Sequence, residues 1–206
     1  MITNTKAAAI VASLIISTFF IAQPALAEGD LQAGKELAYT CLGCHGIEGY
    51  RNAYPSYRVP KLGGQKAAYL VIALNGYRDG SRKHPTMQAH ASSLSEKDIE
   101  DVSSYLATLG TDTVAGGGSK GEDVGYEKAQ GCVACHGNNG VSVNAIWPTL
   151  AGQHEEYLVV ALKSYKNGSR NNAVMSAQAT LIADEDIAGL AKYFAGLKGL
   201  ETTKSE

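Results

Sequence analysis

The sequence predicts an all-α protein built from two tandem, homologous domains. Three observations indicate this fold: stretches of the first half return in the second half, each half carries apolar residues at helical spacing, and alternating β patterns are absent. A pattern present twice, at this length, indicates a duplicated domain rather than a solenoid. The predicted boundaries are residues 28–110 for the first domain, 111–121 for a Gly-rich linker and 122–206 for the second domain.

Residues 1–27 have the pattern of a secretory signal peptide. Lys6 precedes a mostly apolar run over residues 7–22, and the small residues Ala25 and Ala27 follow it. The run is shorter than the roughly 20 residues that a membrane-spanning helix needs, although an uncleaved anchor is the alternative. We therefore expect cleavage after Ala27 and export to the periplasm.

Charge and composition exclude some classes of partner. The chain has 18 Lys and Arg residues against 20 Asp and Glu residues, which gives a formal net charge of −2. This balance does not favour nucleic-acid binding. No later apolar run approaches the length of the first, so we expect a soluble mature chain that is a monomer and meets membranes only through partner complexes.

The repeat defines equivalent positions in the two halves. The matching stretches are Cys41–His45 with Cys132–His136, Pro60–Gln65 with Pro148–Gln153, Tyr77–Arg82 with Tyr165–Arg170, and Met87 with Met175. From the prolines onward the two halves run at a constant offset of 88 residues. The first half carries three extra residues after its CxxCH motif, within the segment 46–58.

Each half predicts three helices. A short helix leads into each CxxCH motif, and a second helix over about 66–78 shows the 3.6-residue spacing of a half-buried helix. The third helix begins after Ser95, an N-cap residue, with Asp98 three positions on. In the second half Ala183 replaces that serine. The predicted apolar core is thin for a domain of about 80 residues, so a bound group is expected to complete it.

The CxxCH motif is the attachment signature of c-type haem. Two thiols three residues apart reach the two vinyl groups of one porphyrin edge, and the next residue offers an imidazole to the iron. The sequence therefore predicts two covalently bound haem c groups, with His45 and His136 as axial ligands. The attachment residues are Cys41, Cys44, Cys132 and Cys135.

Two other uses of these cysteines have to be weighed. A zinc site would pair two CxxC motifs across about 15–20 residues, whereas here they lie in separate repeats. A thioredoxin-like dithiol requires no following histidine and expects a βαβ setting. Both alternatives fit the sequence less well than haem.

The second axial ligands are predicted to be Met87 and Met175. They occupy equivalent positions beyond the second helix, in segments that the sequence predicts as polar loops. His84 and His90 flank Met87 as rivals, but their repeat partners are Asn172 and Gln178. Since a duplicated domain should bind both irons alike, methionine is favoured. His/Met ligation would raise the reduction potential and leave no open coordination position.

Several residues near these motifs have two interpretations each. The carbonyl groups of Pro60 and Pro148 could accept a hydrogen bond from the ligating histidines, or the prolines could only form turns. Arg82 and Arg170 could pair with haem propionates, or could lie in solvated turns. Trp147 could donate to a propionate or only pack.

The extended segment 46–58 alternates tyrosine with arginine. It could form a docking patch for a partner, or a loop folded over the haem edge. His154, which replaces Lys66 in the repeat, is expected to be exposed.

Two tandem class I cytochrome c domains, each with CxxCH, a Pro-x-Leu-x-Gly-Gln stretch and a later methionine, resemble cytochrome c4. The resemblance implies two all-α haem domains related by pseudo-twofold symmetry, with their propionate edges facing each other. It also implies electron transfer from a quinol-oxidising complex or a small carrier to a terminal oxidase. The diheme subunit of flavocytochrome c-type dehydrogenases is similar and is the alternative. A diheme peroxidase or gas sensor would need an open iron position.

Overall fold

The computed structural model describes residues 29–110 and 124–203, so the predicted signal peptide and the predicted linker lie outside the described residues. Within these ranges the chain forms eight α-helices, four in each repeat, and no β-strand beyond isolated bridges. The prediction of an all-α fold is confirmed. The predicted domain boundaries stay predictions.

The helices follow the same order in both repeats. Their bounds are α1 Leu31–His45, α2 Ala67–Arg78, α3 Pro85–Ser92, α4 Glu96–Thr108, α5 Val124–His136, α6 Glu155–Lys166, α7 Ala173–Thr180 and α8 Asp186–Gly196. Both CxxCH motifs lie inside α1 and α5 rather than after a short lead-in helix. The longest helix, α1, has 15 residues, and none in the described ranges is long and apolar enough to cross a membrane.

The first and last helices of each repeat cross at close range. A Cβ atom added to Gly34 in α1 would lie 2.2 Å from the carbonyl oxygen of Asp101 in α4, so only glycine allows this approach. Ala38, Val102 and Leu106 are buried beside the crossing. In the second repeat α5 and α8 pack in the same way. This packing fixes the CxxCH-bearing helix against the rest of its domain.

Capping explains a difference between α4 and α8. The Ser95 hydroxyl accepts from the Asp98 N–H at 3.1 Å, and the Asp98 carboxylate accepts from the Ser95 N–H at 2.9 Å. This is the capping box that the sequence predicts. The counterpart of Glu96 is Asp184, yet α8 begins at Asp186. Because Ala183 cannot cap, the second helix starts later.

The prediction that both methionines lie in loops is wrong. Met87 is the third residue of α3, and Met175 is the third residue of α7. These helices have eight residues each, too short for a periodic apolar pattern to reveal them. Their N-caps, His84 and Asn172, supply the local stabilisation that the sequence analysis did not consider.

Two glutamines join the repeats by exchanged hydrogen bonds. The Gln65 amide donates to the Thr149 carbonyl at 3.0 Å and accepts from the Thr149 N–H at 2.9 Å. The Gln153 amide donates to the Lys61 carbonyl at 3.0 Å and accepts from the Lys61 N–H at 2.9 Å. Gln65 and Gln153 are equivalent in the repeat, as are Lys61 and Thr149. The contacts are therefore those of a pseudo-twofold interface.

The end of the described chain returns to the first domain. Gly63 and Glu201 exchange two backbone hydrogen bonds of 3.1 Å each. The hydroxyl of Thr203, which is fully buried, donates to the His45 carbonyl at 3.0 Å. Residues after α8 thus contact the first repeat, including α1, the helix that carries its CxxCH motif.

Candidate functional site

The four cysteines lie at the carboxyl ends of α1 and α5, and each is partly buried. Among residues 29–110 and 124–203, no group of three or more His, Cys, Asp and Glu side chains could hold a metal ion. The two motifs therefore do not converge on a shared zinc site, and each stays within its own domain.

Each CxxCH histidine is oriented by a prolyl carbonyl. The Nδ1 atom of His45 lies 2.7 Å from the Pro60 oxygen, and Nδ1 of His136 lies 2.9 Å from the Pro148 oxygen. The prediction that these carbonyls accept is confirmed. Because Nδ1 donates to the carbonyl, Nε2 carries the lone pair, which is the arrangement found in metal-ligating histidines.

Burial also sets the protonation of these histidines. It lowers the pKa of His136 and of His45, and the prolyl hydrogen bonds oppose this only in part. The charges of His84 and His90 lower the pKa of His45 further. Both imidazoles are neutral near pH 7, the form that binds iron.

His84 and Asn172 cap the two methionine helices in the same way. The His84 Nδ1 accepts from the Met87 N–H at 3.3 Å, and the Asn172 Oδ1 accepts from the Met175 N–H at 3.0 Å. The repeat partner of His84 therefore shares its structural role although it cannot bind iron equally. His90 is exposed. The assignment of Met87 and Met175 as iron ligands stays a prediction.

Arg82 and Arg170 are buried at the domain interface, so the interpretation of solvated turns is wrong. Their relative exposures are 9% and 7%. Each guanidinium stacks on a tyrosine of its own domain, and each donates to a tyrosine hydroxyl of the other. The stacking distances are 4.5 Å for Arg82 on Tyr77 and 4.6 Å for Arg170 on Tyr165, and the hydrogen bonds are 3.2 Å to Tyr157 and 2.8 Å to Tyr69.

The hydrogen bonding and charge of these two arginines show whether the interface could accommodate haem. The Nε atoms of Arg82 and Arg170 are buried and have no hydrogen-bond partner among the described residues. No ion pair joins either guanidinium to a described carboxylate. Burying two cations without anions is costly. A haem c carries carboxylates, and one such group at each arginine would satisfy both Nε–H donors, so the residues fit.

The structure also describes three other features that the sequence analysis considered: His154, Trp147 and the segment 46–58. His154 is half-buried at the start of α6 rather than exposed. Trp147 remains exposed, and no described side chain hydrogen-bonds to it. The segment 46–58 contacts the second domain: Arg51 and Arg58 bind Glu156 at 2.9 Å each. The sequence could not show this contact, because the partners are about a hundred residues apart.

Comparisons with known proteins agree with this architecture. The family model "Cytochrome c" matches residues 31–110 and 123–198. The chain is 39% identical to a cytochrome c4 of Stutzerimonas stutzeri, over 89% of this chain and 96% of that one. It is 32% identical to a thiosulfate dehydrogenase electron acceptor of Stutzerimonas stutzeri (strain A1501), over 80% and 82%.

Two solved structures show the same fold. Reduced cytochrome c4 from Pseudomonas stutzeri matches with a TM-score of 0.66 and 31% identity, over 82% of this chain and 99% of that one. A thiosulfate dehydrogenase from Marichromatium purpuratum matches with a TM-score of 0.68 and 31% identity. This match includes 82% of this chain but only 40% of the thiosulfate dehydrogenase chain.

The duplicated fold and its two CxxCH sites define a diheme c-type cytochrome, an electron carrier with one haem c on Cys41 and Cys44 and another on Cys132 and Cys135. The chain belongs to the cytochrome c4 family.

Proposed function

We propose that this cytochrome carries single electrons in the periplasm between a respiratory donor and a terminal oxidase. The donor would be a quinol-oxidising complex or a small carrier protein. One observation carries the proposal: the same arrangement is built twice, with a carbonyl-oriented histidine and a capped methionine helix in each domain. Each bound haem c supplies an iron that takes up and releases one electron.

The chain's own residues would keep both irons closed to substrates. His45 and His136 would bind through Nε2, held in place by the carbonyls of Pro60 and Pro148. Met87 and Met175 would supply the second protein ligand to each iron, and a thioether favours ferrous iron. Such a site has no position for dioxygen or peroxide. This favours a carrier over a peroxidase or a gas sensor.

The interface would hold the carboxylates of both haems. Arg82 and Arg170 would each donate Nε–H to one of them while keeping the hydrogen bond to a tyrosine of the other domain. A buried cation beside each site favours the reduced, less positive iron. The crossed tyrosine contacts also keep the two domains at a fixed distance for electron exchange.

A substitution at Met175 tests the ligand assignment. Met175→Ala should abolish the far-red sulfur-to-iron band of one haem, lower its potential and make it bind CO. The matched control is Val174→Ala, because Val174 is the exposed neighbour on the same helix. CO binding by the wild-type protein would indicate an open iron, and an unchanged spectrum in Met175→Ala would exclude this ligand.

A second function is favoured by one comparison. A relative that matches this chain over most of its length is a thiosulfate dehydrogenase electron acceptor. Stopped-flow mixing with a thiosulfate dehydrogenase and thiosulfate tests this role: rapid reduction of the haems would support it. Rapid oxidation by an oxidase without such reduction would favour the respiratory role, and co-purification of a flavoprotein would favour the flavocytochrome alternative.

A further inference from the structure

The segment 46–58 belongs to a small hairpin that contacts the second domain. The Asn52 N–H donates to the Tyr57 carbonyl at 2.9 Å, and the Val59 N–H donates to the Tyr50 carbonyl at 2.8 Å. This pairing brings Arg51 and Arg58 side by side. We call residues 50–59 the strap.

One carboxylate of the second domain anchors the strap. Glu156 accepts from Nη1 of Arg51 at 2.9 Å, from Nε of Arg58 at 2.9 Å and from the Arg58 N–H at 3.3 Å. Hydrogen bonds from charged donors are about twice as strong as neutral ones. The repeat counterpart of Glu156 is Ala68, and the second domain lacks the three extra residues. The anchor therefore has no counterpart on the other side of the pseudo-twofold axis.

The anchor places Tyr57 between the two domains. Tyr57 is buried, and its ring centroid lies 6.3 Å from that of Tyr157 and 6.4 Å from that of His84. His84 also meets the edge of Tyr77 at 6.4 Å. His84 therefore lies between the rings of Tyr77 and Tyr57. We call the ring of Tyr57, which belongs to the strap, the aromatic wall.

His84 connects this wall to the first haem site, since its Nδ1 accepts the Met87 N–H. We propose that Glu156 of the second domain is a positioning residue for the first haem: it anchors the strap, which holds Tyr57 against His84 and thereby fixes the helix end that carries Met87. The inference rests on the proposed role of Met87 as an iron ligand.

Because the Glu156 anchor exists on only one side of the interface, its loss should affect only one of the two haem sites. Met175 is capped by Asn172, and no strap lies over that cap among the described residues. Releasing the strap should therefore change the Met87 site and leave the Met175 site as it is. An interface change that affected both domains equally would act through the symmetric glutamine and arginine contacts instead.

The test compares Glu156→Gln with Glu155→Gln in the haem-loaded protein. Glu155 is the exposed neighbour in α6 and serves as the matched control. NMR of the reduced protein resolves the ring-current-shifted methyl signals of the two methionines. We expect Glu156→Gln to shift the Met87 methyl signal and the potential of the first haem, with Met175 and the second haem unchanged. Trypsin should also cleave after Arg51 and Arg58 about two- to fivefold faster.

Several outcomes would overturn the proposal or separate it from the ligand assignment. Unchanged Met87 signals, or equal shifts at both methionines, would refute a positioning role for Glu156. Absence of shifted methyl signals in the wild type would instead refute methionine ligation. Where Glu156→Gln yields no haem-loaded protein, Tyr57→Leu removes the aromatic wall with both ion pairs intact, and it should shift the Met87 signal without faster cleavage.

Discussion

Arg170 of the second domain donates to the hydroxyl of Tyr69 in the first domain at 2.8 Å. The equivalent Arg82 donates to Tyr157 at 3.2 Å, so each domain contributes one buried cation and one phenol to the other. Burial would raise the pKa of Tyr69, but Arg170 and Arg82 outweigh this effect and lower it. The crossed pairs thus join the domains by partly buried polar contacts.

Tyr69→Phe tests what one crossed pair contributes. The substitution leaves a buried guanidinium donor without its acceptor, so the free energy of unfolding should fall by about 1–3 kcal/mol. Urea denaturation of the haem-loaded protein measures it. Tyr39→Phe, at a largely exposed position in α1, should change it by less than about 0.5 kcal/mol. Equal effects of both variants would show that the crossed hydrogen bond has no net value.

Gly34→Ala tests the helix crossing in the first domain. The added methyl group would lie 2.2 Å from the Asp101 carbonyl oxygen, which belongs to the α4 backbone and cannot move alone. We expect a loss of about 1–3 kcal/mol in unfolding free energy. Gly189→Ala in α8 meets no atom within 4 Å and should be neutral or stabilise by up to about 1 kcal/mol. An unaffected Gly34→Ala protein would mean that α1 and α4 can separate freely.

The sequence predicted features that depend on local spacing. The CxxCH motifs, the α2 helix and the Ser95 cap each occupy one short continuous stretch of chain, and the structure has all of them. The acceptor role of the prolyl carbonyls is one of the two interpretations that the sequence allows, because a ligating imidazole needs an acceptor and a proline lies at a similar distance after each histidine. Because the two domains are repeats of one another, each conclusion about one domain also applies to the equivalent residues of the other.

Features that depend on contacts between the repeats were missed. Glu156 gives no local sign that it binds Arg51 and Arg58, and Tyr69 resembles an ordinary half-buried helix residue. The arginines were assigned either to propionates or to solvent, but the tyrosines of the other domain were not considered. His84 was weighed only as a rival ligand, since a histidine cap is an uncommon way to begin a helix. The fold and the cofactor can therefore be predicted from sequence patterns, whereas the contacts between the two domains are seen only in the structure.

Removing haem attachment from the second domain should unfold that domain. Its described core is a cluster of only eight buried residues, of which three are alanines and Leu158, Leu190 and Phe194 are among the larger side chains. Cys132→Ala combined with Cys135→Ala should therefore reduce the helical circular dichroism signal by roughly half, because a thin core cannot stabilise four short helices. The mirrored Cys41→Ala, Cys44→Ala variant is the comparison. Native-like helicity without the haem would show that the apolar core alone is sufficient.

The pH dependence of stability should show two windows with different causes. Burial, Lys61 and Arg58 lower the pKa of His154 from 6.5 to about 4, and Arg58 and Arg51 lower that of Glu156 from 4.5 to about 2. In both cases the unfolded chain binds the proton first, so stability falls as the pH drops, between 6.5 and 4 for His154 and between 4.5 and 2 for Glu156. Unfolding free energies measured across this range should show a shallower upper slope in His154→Gln and a shallower lower slope in Glu156→Gln than in the wild type. A lower slope that persists in Glu156→Gln would assign it to other carboxylates.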